Sequence, residues 1–468
     1  MRIKRIIAKK FKNLIDFDCE FSESNISAFI GNNGAGKSHV LELISRAFSN
    51  AMNCYCGKKL PVIYIDDEPS IIDCVIEYEL NGKQYQLIYN ENILEIIDDA
   101  RSKDEKVIYE YIKIQCEGKK IPKSSYLEAL PSHILLYYAG ETKRQKDIAE
   151  DTYDTIYDTK LKKSTSDELP GLKYMDCFDT DDLPLLLLTL SAFKGNIYEK
   201  LRNYFDCKCI TPKFSLVLGK PEKGKGDIDT YWNSTGFVKY FLNTLRKYVA
   251  GTRDAGQTYF MFFDDAEFLN ECSDNEFDLF SKLKALKNYG VLKHIGIELE
   301  KNDKSKFSQS RLSEGEKQLA LLLLLTSFTA NSDCLYLFDE FDVYLHLNWQ
   351  RSISKMLNDI TVNGHIIFTT HSPGTISQVK SDDLYIMKNG QVIYPESETY
   401  NRALDEIMLE QMGVSMRTKE IDILYDEFKQ CVADGNKEKA ELMMYKLTEL
   451  LDSTDPLLTK LKIVLRRI

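Results

Sequence analysis

Ile26-Ser27-Ala28-Phe29-Ile30-Gly31-Asn32-Asn33-Gly34-Ala35-Gly36-Lys37-Ser38 is the stretch on which the fold turns. The short, mostly apolar run reads as a buried strand, the glycines as a turn, and Ser38 to Phe48 as a helix. Strand, glycine loop and helix in this order are the context that a phosphate-binding loop requires. The backbone N–H groups from Asn33 through Gly34, Ala35 and Gly36 can close around phosphate oxygens because glycine leaves them room. Lys37 is placed to reach the β- and γ-phosphates, and Ser38 to reach Mg²⁺. The expected ligands are therefore ATP and Mg²⁺, and the expected fold is an α/β P-loop NTPase.

Two more apolar runs end in suitable chemistry. Leu335-Tyr336-Leu337-Phe338 leads into Asp339-Glu340, and Ile366-Ile367-Phe368-Thr369 leads into Thr370-His371-Ser372-Pro373. Ligands of open α/β sheets lie at the carboxyl ends of the strands. Phosphoryl transfer asks a protein mainly to position groups and stabilise charge. Asp339 is thus expected to hold Mg²⁺ together with Ser38, Glu340 to orient or polarise the attacking water, and His371 to hydrogen-bond the γ-phosphate or that water. Singly, each has an ordinary explanation: a turn, a solvated acidic loop, a structural histidine. Their joint occurrence in one chain is what points to an ATPase.

Leu312-Ser313-Glu314-Gly315-Glu316-Lys317-Gln318 resembles the signature motif of ABC-type ATPases. In that family the serine and glycine contact the γ-phosphate of a nucleotide held by a second subunit. The resemblance implies that Ser313, Gly315 and Glu316 serve in trans, within a homodimer or higher oligomer. With the Thr-His-Ser-Pro ending, the chain is similar to the SMC/RecF-like ABC ATPases. Asp342 matches the position of a D-loop residue that crosses to the partner, although Phe341 stands where proline is common. The glutamine of a Q-loop is not evident; Gln145 is the glutamine available in the expected region. Tyr137-Tyr138-Ala139-Gly140 and the signature also resemble ATPases of bacterial anti-phage systems, the Septu PtuA and retron-associated ATPases.

Composition fits a folded, soluble protein: 468 residues, 43% hydrophobic, 28% charged and 11% aromatic. A net charge of −11 does not suggest a protein that coats nucleic acid, so such contact needs local basic patches. Two candidates exist, the run Arg2, Lys4, Arg5, Lys9, Lys10, Lys12 and the segment containing Lys220, Lys223 and Lys225; charge runs are ordinarily solvated faces. The apolar stretches Leu183–Leu190 and Leu319–Leu325 are far short of the roughly 20 residues a bilayer needs. The N-terminus lacks the pattern of a signal peptide. A cytoplasmic protein without membrane contact is expected. The pairs Cys54/Cys56 and Cys207/Cys209 could in principle hold zinc, but their spacing favours free thiols.

The organisation expected is an ABC-type ATPase head with a mixed sheet. Residues 1–140 would carry the phosphate loop and a β-rich subdomain, 141–290 a large, mostly helical inserted lobe, 291–398 the rest of the core, and 399–468 a helical tail. Three functions compete. The first is a dimeric ATPase that senses nucleic acid or a phage product and controls a separate effector protein, a nuclease. The second is a RecF-like DNA repair or replication ATPase with its own DNA footprint. The third, a transporter's nucleotide-binding subunit, fits poorly with about 270 residues between Ser38 and Leu312. The six histidines form no nuclease-like cluster in the sequence, which favours a separate effector.

Overall fold

A computed structural model describes residues 1–55, 63–65, 68–70, 72–89, 112–140, 144–153, 159–169, 173–195, 197–205, 207–222, 224–404, 407 and 417–465. Cys56, Lys223 and residues 141–143 of the expected Q-loop region lie outside these. The described chain separates into two compact units, residues 1–401 and 402–468.

The centre of the first unit is a seven-stranded sheet. Its order is Tyr174–Phe178, His133–Tyr138, Cys334–Asp339, His365–Thr369, Ile26–Gly31, Leu384–Lys388 and Gln391–Ile393. Every neighbouring pair is parallel except the last, where Asn389-Gly390 turns a hairpin. Strands of a parallel sheet are covered on both faces and read as continuous apolar runs. Cys334–Asp339 and His365–Thr369 are buried at every position, which is why no alternation marks them. The glycine-loop helix Lys37–Tyr55 and the signature helix Glu314–Phe328 help to cover this sheet and its surroundings.

Beside it lies a six-stranded antiparallel sheet, ordered Leu14–Glu20, Arg2–Phe11, Asp73–Leu80, Lys83–Tyr89, Ile112–Cys116, Lys119–Lys120. The perfect alternation of buried positions in Asp73–Leu80 is that of a strand with one face in the core. The expected hairpin at Asn81-Gly82 is present, both residues having positive φ.

Helices dominate the inserted region, as Leu183–Phe193, Gly236–Arg246 and Glu276–Asn288 illustrate. The expectation of a mostly helical lobe nevertheless omits two features. Tyr174–Phe178 belongs to the central sheet, pairing with His133–Tyr138. A five-stranded antiparallel sheet, ordered Gly251–Asp254, Thr258–Phe263, Cys207–Gly219, Leu292–Lys301, Lys306–Ser308, also runs through it. Its long strand Cys207–Gly219 has irregular register against Leu292–Lys301, which interrupts the period of two and hides it from pattern reading.

The described part of the tail includes three helices, Lys419–Ala433, Lys437–Leu450 and Pro456–Leu465. They share a small core of Phe428, Ala440, Met443, Leu447, Leu458 and Leu461. The bidentate pair Arg417–Asp455, at 2.8 and 3.0 Å, ties the chain before the first helix to the start of the third. Among the described residues no helix is long and apolar enough to cross a membrane.

Candidate active site

Parallel strands bring their carboxyl ends to one edge, and three of them meet here: Ile26–Gly31 and Cys334–Asp339, with His365–Thr369 between. The glycine loop leaves the first. Gly31 has φ +142°, and a Cβ there would lie 2.3 Å from the carbonyl oxygen of Met387. Gly36 has φ +110°, and a Cβ would meet the Asn13 side chain at 3.0 Å. Both positions demand glycine, for close approach and for backbone conformation. Asn13 braces the loop by donating Nδ2 to the Gly34 carbonyl at 2.9 Å, and the Gly390 N–H donates to the Ala35 carbonyl at 3.0 Å. Asn33 is exposed at the loop's tip.

Lys37 begins the helix and is 6% exposed. Its ammonium donates to the carbonyls of Gly31 at 2.9 Å and Asn32 at 3.2 Å, curling over the loop. Burial lowers its pKa, while Glu340 and Asp339 pull the other way, so the lysine senses both carboxylates. Ser38 donates its hydroxyl to Asp339 Oδ1 at 3.1 Å. The predicted metal pair is therefore in direct contact although 301 residues apart.

Sequence reading missed Thr369. Its hydroxyl donates to Asp339 Oδ1 at 2.5 Å and accepts from the Glu340 N–H at 2.9 Å. One side chain thus orients the two acidic residues. Burial pushes Asp339 up from the usual carboxylate range, and the Thr369 and Ser38 donors hold it down. Glu340 has φ +50°, uncommon for a residue with a side chain. The only sequence signal for Thr369 was its place at the end of an apolar run.

His371 follows two residues later and is half-buried. Burial and then Lys37 lower its pKa, while Glu340 raises it, so it belongs to the same electrostatic group. Its Nε2 is shielded and has no hydrogen-bond partner among the described residues. Asp342 lies deeper, 2% exposed. Thr370 donates to its Oδ2 at 2.5 Å, Thr375 donates to the same oxygen, and burial raises its pKa to about 6. Phe341, in place of a proline, is fully buried against Phe368 with ring centroids 4.7 Å apart. It anchors the turn by packing.

Ser313 caps the signature helix. Its hydroxyl accepts from the Glu316 N–H at 3.3 Å, and the Ser313 N–H donates to Glu316 Oε2 at 2.7 Å, a reciprocal capping box. The helix consequently starts at Glu314, four residues before the apolar run suggests. Gly315 is packed so closely that a Cβ would lie 2.6 Å from the Tyr344 carbonyl, in the turn after Asp342. Among the described residues, no hydrogen bond or ion pair joins Ser313, Gly315 or Glu316 to the glycine loop or to Asp339-Glu340. Gln145 is buried in the helix Arg144–Tyr153, its Oε1 without a partner among the described residues.

The donor set suits ATP with Mg²⁺. Hydroxyl and carboxylate oxygens are hard ligands, and Mg²⁺ typically takes one or two protein oxygens, the rest being water and phosphate. The glycine loop offers backbone N–H groups with no side chain in the way, and the bare His371 Nε2 offers a further polar contact. A glycine loop braced from behind, with an acidic pair two strands away and a histidine after the strand between, defines an ABC-type P-loop ATPase head.

The chain belongs to the RecF/RecN/SMC N terminal domain family, whose model matches residues 2–393. It is similar to the Retron Vc95 probable ATPase of Vibrio cholerae serotype O1 biovar El Tor, 22% identical over 481 residues, covering 94% of this chain and 85% of that protein. It is also similar to the Septu protein PtuA of Bacillus thuringiensis, 28% identical over 142 residues, 28% of this chain and 35% of the other. Among solved structures, the SMC head domain from Thermotoga maritima matches with a TM-score of 0.36 and 15% identity, covering 85% of this chain and 100% of that one. The protein is thus an ATPase of SMC/RecF type, related to the retron and Septu ATPases.

Proposed function

We propose that two copies of this chain sandwich two ATP–Mg²⁺ in head-to-tail fashion, hydrolyse them, and thereby control a separate effector protein, a nuclease, in anti-phage defence. The observation that carries this reading is the cluster Ser38–Asp339–Thr369–Glu340, with the unpartnered His371 Nε2 beside it. Lys37 would leave the loop carbonyls to meet the β- and γ-phosphates. Ser38 and Asp339 would hold Mg²⁺, which when bound neutralises phosphate charge. Glu340, fixed through its N–H to Thr369, would orient the attacking water. His371 would hydrogen-bond the γ-phosphate. Ser313, Gly315 and Glu316, apart from the glycine loop of their own copy, would complete the partner's site, with Asp342 supporting the turn that borders it. Similarity to retron and Septu ATPases supports the defence setting.

Glu340→Gln should bind ATP, hydrolyse it slowly and accumulate as a dimer in light scattering. Normal turnover by this variant refutes the role of Glu340. Ser313→Arg should keep nucleotide binding and lose both dimer and turnover; unimpaired hydrolysis by a monomer refutes the sandwich.

The second reading is a RecF-like DNA repair or replication ATPase. The N-terminal basic run argues against a DNA footprint there. Arg2 and Lys4 are paired with Glu23, Arg5 with Asp18, and Lys12 with Glu42. Duplex binding by the purified chain whose affinity falls steeply with salt would favour this second reading.

A further inference from the structure

The five-stranded sheet has one apolar face and one face of different composition. On the inner face, cross-strand register aligns Met261, Leu216 and Ile295 in one row and Phe263, Phe214 and Ile297 in the next, all buried. The same register aligns the outer side chains. One row reads Arg253, Phe260, Val217, His294; its neighbour reads Gly251, Phe262, Ser215, Gly296. None of these eight is buried, and Phe262 is 40% exposed.

We propose that this outer face is a stacking platform for single-stranded nucleic acid, with bases on Phe260 and Phe262 and phosphates at the cationic margins. The two rings are nearly coplanar in orientation, 9° apart with centroids 6.1 Å apart, and Arg253 lies 5.9 Å over the Phe260 ring. Residues beside Phe262 are small, and the floor is as low as the backbone allows: a Cβ on Gly296 would come 2.5 Å from Ser215 Oγ. A planar base can therefore lie on the ring without meeting a side chain from its own cross-strand row, and the next outer row carries the exposed Lys213–Asp264 ion pair. Aromatic platforms bind single strands this way because every base has a π-face.

Charge fits the same occupant. Arg253 stands at one margin and His294 at the other, about 14 Å away across three strand spacings. A register irregularity between the pairs Val217–His294 and Leu218–Leu292 leaves Lys293 as an extra residue, so Lys293 and His294 both line one cavity of about 350 Å³. Lys287 and Lys317 line it too, paired with Asp182 at 2.7 Å and Glu314 at 2.6 Å, and Asp181 is the acidic residue among its described lining. Backbone phosphates leaving the platform at His294 meet this cavity, next to the turn that precedes the signature helix. A protein partner would be better served by aliphatic side chains, of which the two outer rows hold only Val217.

This adds a target-reading surface to the function proposed above and rests on that reading for purpose, not for binding. The test is fluorescence anisotropy of the full chain with a labelled twelve-nucleotide oligothymidine, alongside an abasic strand of equal length. Wild type should bind the oligothymidine, and the abasic strand should bind at least tenfold more weakly. Phe262→Ala, and Phe260→Ala with Phe262→Ala, should weaken oligothymidine binding tenfold or more while leaving ATP turnover unchanged. Equal affinity for the abasic strand, no binding at 50 mM salt, or full affinity in the double variant each overturns the platform. Loss of association with a purified effector protein in Phe262→Ala, with oligonucleotide binding intact, assigns the face to protein instead. Lys37→Ala separates the two readings, since it should abolish turnover and retain oligonucleotide binding.

Discussion

Thr369 offers the most exposing test of how this site is built. Its hydroxyl makes two bonds at once, to the Asp339 carboxylate at 2.5 Å and from the Glu340 N–H at 2.9 Å. Thr369→Val keeps the shape and removes both. The bond to an ionised carboxylate is worth about 1.5–3 kcal/mol and the backbone bond about 0.5–1.5. Both groups are shielded, so a loss of roughly 2–4 kcal/mol is expected. Residues 1–401 contain both tryptophans, Trp232 and Trp349, so urea unfolding followed by tryptophan fluorescence reports on this unit. Turnover should fall as well, because Glu340 sits at φ +50° with its N–H newly orphaned. A loss of 2 kcal/mol in transition-state positioning corresponds to about thirtyfold in kcat. Thr369→Ser should recover most of both. A valine variant within about 0.5 kcal/mol of wild type and with normal kcat would refute the claim that this hydroxyl organises the acidic pair.

Other expectations follow from the same geometry. Asp342 is raised from 3.8 to about 6 by burial. A group raised on folding gives its full stabilisation below its unfolded value and loses it as pH rises through the folded one, so roughly 1 kcal/mol should disappear between pH 5.5 and 7.5. Asp342→Asn should flatten that part of the pH–stability curve, and an unchanged slope counts against the assignment. Gly31→Ala should be destabilised by several kcal/mol, on the order of 3, because its Cβ would strike the Met387 carbonyl at 2.3 Å; a soluble variant with wild-type urea midpoint would contradict this. Asp182 is fully buried and accepts from Lys284 at 2.6 Å and Lys287 at 2.7 Å. Removing it with Asp182→Ala leaves buried Lys284 with only the longer 3.9 Å pairing to Asp176 and should cost about 3–5 kcal/mol, read from the same unfolding transition. Phe428→Ala should unfold the tail unit selectively, since a loss of about 3–5 kcal/mol matches all that so small a core supplies; limited proteolysis would show cleavage within residues 402–468.

The parts of the site legible in the sequence were those whose chemistry and local context are contiguous. The glycine loop carries its own strand and helix, and Asp339-Glu340 carries its own apolar run. Local capping marks some helix starts in the same way: the Asn275 side chain accepts from the Asp278 N–H at the start of Glu276–Asn288. What stayed hidden depends on register between distant segments. Thr369 meets Asp339 only because Phe338 pairs with Phe368 across two parallel strands. Asn13 meets Gly34 because two sheets abut at the loop, and nothing in the sequence between them, a separation of 21 positions, announces it. The inserted sheet was missed for a related reason, since its longest strand slips register against its neighbour three times.

The signature segment shows how one local motif serves two purposes. Within its own chain Ser313 is a helix cap, and its capping box with Glu316 accounts fully for a serine and a glutamate three residues apart. Capping alone does not account for Gly315. Its missing Cβ lets the Tyr344 carbonyl approach, which locks the start of the signature helix to the turn after Asp342. That turn leaves Val343 55% and Tyr344 52% exposed, two large side chains facing outward beside an exposed Ser313. A helix N-terminus with free N–H groups favours an anion, and here the glycine loop of the same copy makes no polar contact with it among the described residues. In the proposed sandwich the anion is the partner's γ-phosphate, and Val343 and Tyr344 are the first apolar contacts. Tyr344→Asp would then disrupt dimer formation by Glu340→Gln in ATP without altering monomer stability by more than about 0.5 kcal/mol. Dimers of undiminished affinity in that double variant would remove the turn from the interface and leave Gly315 as a packing residue only.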